Sequence, residues 1–342
     1  MNPTPEKILI IRLSSIGDIL LSTPFIRQTR KKFPAVQIDF VVKQEFHQLI
    51  SANPHLDKIY QLQSGNLGGL LGALASAEYD YIFDLHGNIR SRLITQRIRS
   101  EKISRIKKNK FIQQLFVKFK INRYDRVKPI PERYLETGLP AGVTDDGGGL
   151  EFYWNEKSEE TANKYLADLK TDPPAVLIAV APGAGFYTKR WPLEYFIDLM
   201  DHIRVEKKAR FIVLGDVNDR KLGQVLSNRR SWVLDLTGRI DLMEAGAILA
   251  QCQMAITNDS GMMHLATAVQ TPVLALFGSS VREFGFFPFR ATSHIVENQG
   301  LSCRPCSHIG RRKCPEGHFK CMRELTPALV AEQFENFMAG LR

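Results

Sequence analysis

The sequence predicts an α/β protein of two doubly wound, Rossmann-like parallel-sheet domains that face an interdomain cleft. Short apolar runs alternate with helical hydrophobic patterns, and this alternation occurs in two series of similar size. With 342 residues, the chain is too long for one typical hydrophobic core. The Gly-rich stretch 144–149 separates the two series, so we expect domains at residues 1–149 and 150–342.

The first series opens with the near-continuous apolar run 7–13, which is typical of a strand buried on both faces. A turn at 14–18 follows, and helical spacing then continues until Pro34. Together these features predict strands over 7–13, 37–43 and 79–85, and helices over 19–32 and 64–77.

The second series repeats this order after the linker. The patterns predict helices over 156–170, 193–205 and 242–250, and a last helix after Thr326. Predicted strands cover 175–181, 210–214, 233–236, 253–257 and 272–277.

Composition narrows the class of protein. Hydrophobic residues make up 44% and charged residues 24%, as in soluble globular proteins, and the apolar runs are shorter than the ~20 residues of a membrane span. The polar N-terminus leads directly into a strand, so we expect no signal peptide. Five cysteines, an odd number, favour a reducing compartment and hence the cytoplasm. The net charge of +10 suits an anionic partner.

Much of the positive charge lies in residues 90–128, where only Glu101 and Asp125 are acidic. Aromatic and aliphatic residues recur there at helical spacing: Phe111, Leu115, Phe116 and Phe119. One interpretation of this basic stretch is a nucleic-acid-binding surface, although the usual recognition motifs are missing from the sequence. Another is a solvated basic face without a partner.

The turn at 258–261, between a predicted strand and a predicted helix, indicates a phosphate site. Asn258, Asp259 and Ser260 can cap the helix, and Gly261 allows close backbone approach. The free N–H groups and positive end of such a helix attract phosphate. An ordinary capped helix is the alternative interpretation.

Other strand-end loops carry further candidates. The loop 182–192 offers Gly183 and Gly185 for close backbone approach and Lys189 as a cation for phosphate, although it is not a Walker loop. Asp219 follows a strand and could accept bonds from ribose hydroxyls or cap a helix. Asp18 could start a helix or act as a base.

The segment near the C-terminus contains Cys303, Cys306, Cys314 and Cys321, with His308 and His318 nearby. The first pair has metal-ligand spacing, but six residues separate Cys314 from Cys321. Free thiols are favoured over a structural zinc site, and we expect no metal.

The motifs Ser15-Ile16-Gly17-Asp18, Asp84-Leu85-His86-Gly87-Asn88, Pro182-Gly183-Ala184, Lys189-Arg190-Trp191-Pro192 and Asn258-Asp259-Ser260-Gly261-Met262-Met263-His264 occur in this order. In this arrangement the chain resembles the heptosyltransferases of lipopolysaccharide core synthesis, the bacterial glycosyltransferase family 9. The likeness runs from about residue 7 to residue 326, and its most specific part is Asp-Ser-Gly-x-x-His. The cysteine-containing segment also resembles one found in some family members.

The resemblance implies a GT-B fold and an inverting, metal-independent transfer of heptose from ADP-heptose to the lipopolysaccharide inner core, with no cofactor. The N-terminal domain would bind the acceptor and the C-terminal domain the nucleotide sugar. Asp18 matches the general base and Lys189 the catalytic lysine on the donor phosphates. Donor-binding residues would be Gly183, Ala184, Gly185, Thr188, Lys189, Asp219, Asp259, Ser260, Gly261, Met262 and His264. Acceptor-binding residues would be Gly17, His86, Asn88, Arg90, Arg92, Lys107, Lys108 and Lys110.

The implied partners are an ADP-sugar and an anionic lipid-linked oligosaccharide, without nucleic acid. The implied location is cytoplasmic, peripheral at the inner membrane, and we expect residues 90–128 to face the acceptor and the anionic membrane surface. Ala184 and Gly185 replace Thr-Thr of some family members, so backbone amides must bind phosphate there. This difference leaves another nucleotide sugar, such as an ADP- or UDP-hexose, as an alternative donor.

Overall fold

A computed structural model describes residues 5–75, 77–167, 169 and 176–341. The chain forms two compact units. Unit 1 comprises Met1–Asn109 and Lys128–Tyr153, and unit 2 comprises Lys110–Val127 and Trp154–Arg342. The main division lies close to the linker, but the sequence pattern gave no sign that residues 110–127 belong with the second unit.

Unit 1 is built on a five-stranded parallel sheet in the order β3-β2-β1-β4-β5. Its central strand β1 pairs Ile8 with Ile38 on one side and with Tyr81 on the other. Ile8 to Ile11 are fully buried, as expected for a strand covered on both faces. The strands are β1 Lys7–Ile11, β2 Gln37–Lys43, β3 Lys58–Leu62, β4 Tyr79–Asp84 and β5 Ser100–Arg105.

Unit 2 contains a six-stranded parallel sheet in the order β11-β10-β9-β6-β7-β8. Strands β6, β9 and β10 are buried along their whole length. The strands are β6 Leu177–Ala181, β7 Arg210–Val213, β8 Val233–Asp235, β9 Met254–Asn258, β10 Val273–Phe277 and β11 Ser293–Glu297. The predicted fold class of two parallel-sheet α/β domains is thereby confirmed.

Helices alternate with the strands along the chain. They are α1 Ile16–Leu20, α2 Thr23–Lys32, α3 Leu67–Ala75, α4 Ile89–Arg97, α5 Lys110–Phe119, α6 Ile130–Gly138, α7 Glu156–Ala167, α8 Leu193–Lys207, α9 Arg220–Ser227, α10 Leu242–Leu249, α11 Gly261–Ala268, α12 Lys320–Arg323 and α13 Pro327–Gly340. The last helix, α13, packs against α8, with Val330 and Phe334 in the core of unit 2.

Two kinds of prediction were wrong in detail. The expected helix 19–32 is two helices, and α2 begins beside Pro24, which lacks the N–H of a continuing helix. The edge strands β3, β5 and β11 were missed; β5 is polar and largely exposed, so its hydrophobic pattern is weak. The predicted helix end at Lys170 and strand start at Ala175 lie outside the described residues. No helix in the described ranges is both long and apolar enough to cross a membrane.

Candidate active site

In unit 2, the loops after β6, β7, β9 and β10 leave the carboxyl edge of one sheet. Asn258, at the end of β9, joins two of them through its side chain. Its Oδ1 accepts a hydrogen bond from Trp191 N at 3.0 Å, and its Nδ2 donates to Pro182 O at 2.7 Å. The predicted loops 182–192 and 258–261 are therefore next to each other. Asn258 is buried and hydrogen-bonds to the first loop, and it is not the N-cap of the helix.

Lys189 and Asp259 form an ion pair between these loops. Their Nζ and Oδ2 atoms are 2.7 Å apart, and the side chains are only 15% and 4% exposed. Ser280, after β10, donates its hydroxyl to the same Asp259 oxygen at 2.5 Å. The sequence predicted both charged residues in the donor site but did not predict that they pair.

Asp219 occupies the space in front of two glycines. A Cβ at Gly183 would lie 2.2 Å from Asp219 Oδ2, and one at Gly215 would lie 2.7 Å from the same atom. Gly183 therefore makes room for this carboxylate, whereas Gly185 is exposed and faces open space. Burial and the neighbouring Asp216 raise the pKa of Asp219.

The other residues of loop 182–192 are held by internal contacts. Arg190 donates from Nε to Ala184 O at 2.7 Å, which folds the loop back on itself. Thr188 is buried and accepts a hydrogen bond from Ser279 Oγ at 3.0 Å. Thr188 is thus a support for the loop, and Ala184 contributes its backbone carbonyl.

The N-terminus of α11 lies at the same edge. Ser260 is its N-cap residue, but its side chain makes no capping bond, and the buried Ser260 Oγ has no partner among the described atoms. Gly261 and Met262, in the first turn, are half-buried, and His264 is buried one turn later. The unpartnered hydroxyl and the free N–H groups of this eight-residue helix can bind an anion.

The cysteine-containing segment, residues 303–322, contacts the loop that carries Lys189. Thr188 N donates to Arg311 O at 3.1 Å, and Arg311 N donates to Thr188 Oγ1 at 2.8 Å. The ring of Tyr187 stacks on that of Phe319 with centroids 4.8 Å apart. The segment therefore has a structural role that sequence reasoning did not identify.

The four cysteines of this region, Cys303, Cys306, Cys314 and Cys321, are free thiols. Burial raises the pKa of the Cys321 thiol to about 12. Within the described ranges, no group of three or more His, Cys, Asp or Glu side chains is placed to hold a metal ion.

In unit 1, Asp18 lies in the first turn of α1 and pairs with Arg12. Arg12 Nη2 is 2.7 Å from Asp18 Oδ1, and Ser15 Oγ donates to Asp18 Oδ2 at 3.0 Å. Arg12 is itself buried, donates to Leu85 O at 2.7 Å and lies over the ring of Tyr134. Burial raises the pKa of Asp18, but Arg12 and the Ser15 hydrogen bonds outweigh it, and the net shift is downward.

The predicted motif 84–88 forms a turn beside this pair. Asp84, fully buried at the end of β4, accepts hydrogen bonds from His86 N at 3.1 Å and Gly87 N at 2.8 Å. Burial, Arg12 and Lys108 lower the pKa of His86 to about 3, so its imidazole is neutral at physiological pH. The buried His86 Nδ1 has no partner among the described atoms.

The remaining predicted acceptor residues are dispersed. Gly17 is buried within α1, Asn88 is the N-cap of α4, and Lys108 donates from Nζ to His86 O at 2.5 Å. The other basic residues are exposed: Arg90, Arg92 and Lys107 in unit 1, and Lys110 at the start of α5 in unit 2.

Arg90 lines a cavity of about 560 Å³ at the carboxyl ends of β2 and β3. Lys43, Gln44 and Gln63 also line it. Sequence reasoning missed these three residues, although strand-end position was the signal that could have identified Lys43.

Comparisons with known proteins agree with this architecture. A family model described as glycosyltransferase family 9 (heptosyltransferase) matches residues 69–318. Lipopolysaccharide heptosyltransferase 2 of Salmonella typhimurium is 25% identical over 97% of this chain and 99% of its own length.

Two solved structures share the fold. The glycosyl transferase family 9 structure from Veillonella parvula has a TM-score of 0.81 at 22% identity and covers 98% of both chains. E. coli heptosyltransferase WaaC with ADP-2-deoxy-2-fluoro heptose has a TM-score of 0.70 at 18% identity and covers 96% of this chain and 99% of its own.

Proposed function

Because the chain belongs to glycosyltransferase family 9, the heptosyltransferase family, and is a glycosyltransferase, we propose that it transfers heptose from ADP-heptose to the inner core of lipopolysaccharide. The transfer inverts the anomeric centre and uses no metal or other cofactor. The acceptor is an anionic, lipid-linked oligosaccharide at the cytoplasmic face of the inner membrane.

The observation that carries this proposal is the Lys189–Asp259 pair beside the N-terminus of α11. Departure of ADP places negative charge on the diphosphate, and a lysine together with free helix N–H groups can stabilise it. The unpartnered Ser260 Oγ adds a hydroxyl donor at the same place. This cluster provides phosphate-binding groups that do not depend on hydroxyls at positions 184 and 185.

Bound diphosphate competes with Asp259 for the Lys189 ammonium. Ser280 keeps its hydrogen bond to Asp259, so the carboxylate stays in place when its cation is shared. Asp259 then accepts bonds from sugar hydroxyls, and Asp219 accepts one from the ribose. Gly261, Met262 and His264 support the donor from α11, and Gly183, Ala184, Gly185 and Thr188 support it from the preceding loop.

Asp18 is the proposed general base. It accepts the proton of the attacking acceptor hydroxyl while the bond from the heptose carbon to the leaving phosphate breaks. Its lowered pKa keeps it ionised, so Asp18 is a weak base that is always available to accept the proton and that also orients the nucleophile. The neutral His86 can bind an acceptor hydroxyl beside it.

The anionic acceptor needs cations, and unit 1 supplies them. Arg90 and Lys43 line the 560 Å³ cavity, which is large enough for a sugar unit. Gly17, Asn88, Arg92, Lys107, Lys108 and Lys110 are the further residues that we assign to the acceptor side.

The test is a thermal-shift experiment with ADP-heptose, ADP-glucose, UDP-glucose and ADP. A ligand at one hundred times its dissociation constant stabilises the protein by about 2.7 kcal/mol, which is a measurable rise in melting temperature. Lys189→Ala should reduce the shift with ADP-heptose and slow transfer. The matched control is Lys207→Ala, because Lys207 pairs with Glu335 on the surface of the same unit.

Equal shifts with ADP-heptose in the Lys189→Ala variant and the parent would remove Lys189 from the donor site. A larger shift with UDP-glucose than with ADP-heptose would indicate that the donor is a UDP-sugar instead of ADP-heptose.

A further inference from the structure

Helix α5 presents an apolar stripe to solvent. Phe111, Leu115 and Phe119 occur at every fourth position, which places them along one side of the helix. Phe111 is 73% exposed and Phe119 is 67% exposed. None of the ten residues of α5, all of which the structure describes, is buried. Two largely exposed phenylalanines on one helix face are unusual for a soluble surface.

The side of the helix next to the stripe contacts the rest of unit 2. Phe116 lies about 140° around the helix from Phe111 and about 60° from Phe119, and its ring centroid is 6.2 Å from that of Phe284. Beyond the helix, Lys120 Nζ donates to Pro305 O at 2.7 Å, and Asn122 Nδ2 donates to Glu283 Oε1 at 2.8 Å. The stripe therefore faces outward from an anchored helix.

The charge of the same segment is strongly positive. Residues 110–127 contain five Lys or Arg residues and one acidic residue, Asp125. Lys110 and Lys118 are exposed and adjacent in sequence to Phe111 and Phe119, respectively. Exposed aromatic residues next to lysines are typical of helices that lie in the interface of an anionic bilayer, with the rings among the acyl chains and the ammonium groups at the lipid phosphates.

We propose that α5 is an interfacial membrane helix that inserts Phe111 and Phe119 into an anionic lipid bilayer. The inference rests on the proposed function, because a lipid-linked acceptor requires the enzyme to work at a membrane surface. It assigns the membrane contact to a particular face, rather than to the whole basic stretch 90–128. Along this face, Phe111 and Phe119 are separated by about 12 Å, so both can enter the same interface.

The first test places a fluorescent reporter in the stripe of the full-length protein. Phe111→Trp should give a blue-shifted emission, relative to the parent, on vesicles of phosphatidylcholine with phosphatidylglycerol. Val205→Trp is the matched control, because Val205 is 78% exposed on α8 of the same unit and should show no shift. Equal shifts at both positions, or no shift at position 111, would overturn the proposal.

The second test measures vesicle binding by sedimentation. The double variant Phe111→Ser/Phe119→Ser should reduce partitioning to the phosphatidylglycerol vesicles by roughly tenfold for each phenylalanine. Unchanged partitioning would contradict the proposal, as would equal binding of the parent to vesicles of phosphatidylcholine alone. If the double variant instead converts a dimer to a monomer and still binds vesicles, the stripe is an interface between copies of the chain.

Two further readouts separate this inference from the proposed function. The double variant should keep the parental thermal shift with ADP-heptose and the parental turnover on a deacylated, water-soluble acceptor. If the parent binds vesicles through α5 but does not turn over that acceptor, the membrane helix stands and the proposed reaction fails. If the parent turns over that acceptor but does not bind vesicles, the proposed reaction stands and the membrane helix fails.

Discussion

Replacing Asp18 tests catalysis and folding together, because this carboxylate is paired with a buried guanidinium. From its sequence context alone, Asp18→Asn should remove the base and change stability little. In the structure, it leaves Arg12 with a buried charge and no carboxylate at 2.7 Å. Breaking a fully buried pair costs about 3–5 kcal/mol, and since Asp18 is 21% exposed we expect roughly 2–4 kcal/mol.

The effect on rate should be larger than the effect on folding. Loss of a general base typically lowers the rate by ~10²–10⁴. The assay pairs steady-state ADP release with melting temperature, which should fall by roughly 5–10 °C. ADP-heptose should still raise the melting temperature of the variant, because the proposed donor site is in unit 2.

The control is the double variant Arg12→Met/Asp18→Asn, which removes both charges. It should recover most of the lost melting temperature while remaining inactive. If the double variant also recovers turnover, the Asp18→Asn defect was one of folding, and Asp18 is not the base.

The single variant Arg12→Met adds a pH readout. Without Arg12, burial should raise the pKa of Asp18, so the acid limb of the kcat/KM profile should move to higher pH. In the parent, the folded pKa of Asp18 is below its unfolded value. Its contribution to stability is therefore present above the unfolded pKa and is lost as pH falls through the folded pKa. An acid limb at the same pH in both proteins would refute this electrostatic coupling.

Two further predictions concern unit 2. Thr188→Val removes the acceptor for Arg311 N and Ser279 Oγ. We expect Lys189 to be displaced and turnover to fall by roughly tenfold or more, with kcat more affected than donor affinity. Unchanged kinetics would show that these contacts to Thr188 are dispensable. The raised pKa of Asp219 predicts that donor affinity weakens toward acid pH, as its carboxylate becomes protonated, and calorimetry on Asp219→Asn should show a flat profile over the same range.

Sequence patterns were sufficient for the fold because buried parallel strands are continuous apolar runs. The central strands β1, β6, β9 and β10 were all predicted. The edge strand β5 was missed because its polar sequence contains no apolar run that would indicate a strand. The assignment of 110–127 to unit 2 depends on tertiary contacts such as Phe116 with Phe284, which are far apart in sequence.

Strand-end position also located the candidate site, but not the partners of its residues. Lys189 and Asp259 are seventy positions apart in sequence, and their pairing follows from the adjacency of β6 and β9 in the sheet. The Arg12–Asp18 pair is local, yet the apolar run 7–13 predicted Arg12 only as part of a strand. Likewise, Gly183 looked like a point of ligand approach, and only the structure shows Asp219 in that space.

The ion pairs Arg12–Asp18 and Lys189–Asp259 give the two proposed catalytic side chains, Asp18 and Lys189, different properties. Arg12 keeps Asp18 ionised and fixed, so the base need not be generated from a protonated carboxyl before each turnover, at the expense of basicity. Asp259 neutralises Lys189, so a diphosphate must share an ammonium that already has a carboxylate partner. Since hydrogen bonds to charged groups contribute about 1.5–3 kcal/mol each, exchanging one anion for another gains little net energy. Donor affinity should then combine the N-terminus of α11 and Ser260 with Lys189, whose removal would leave Asp259 to repel the diphosphate, and moderate phosphate binding favours release of ADP after transfer.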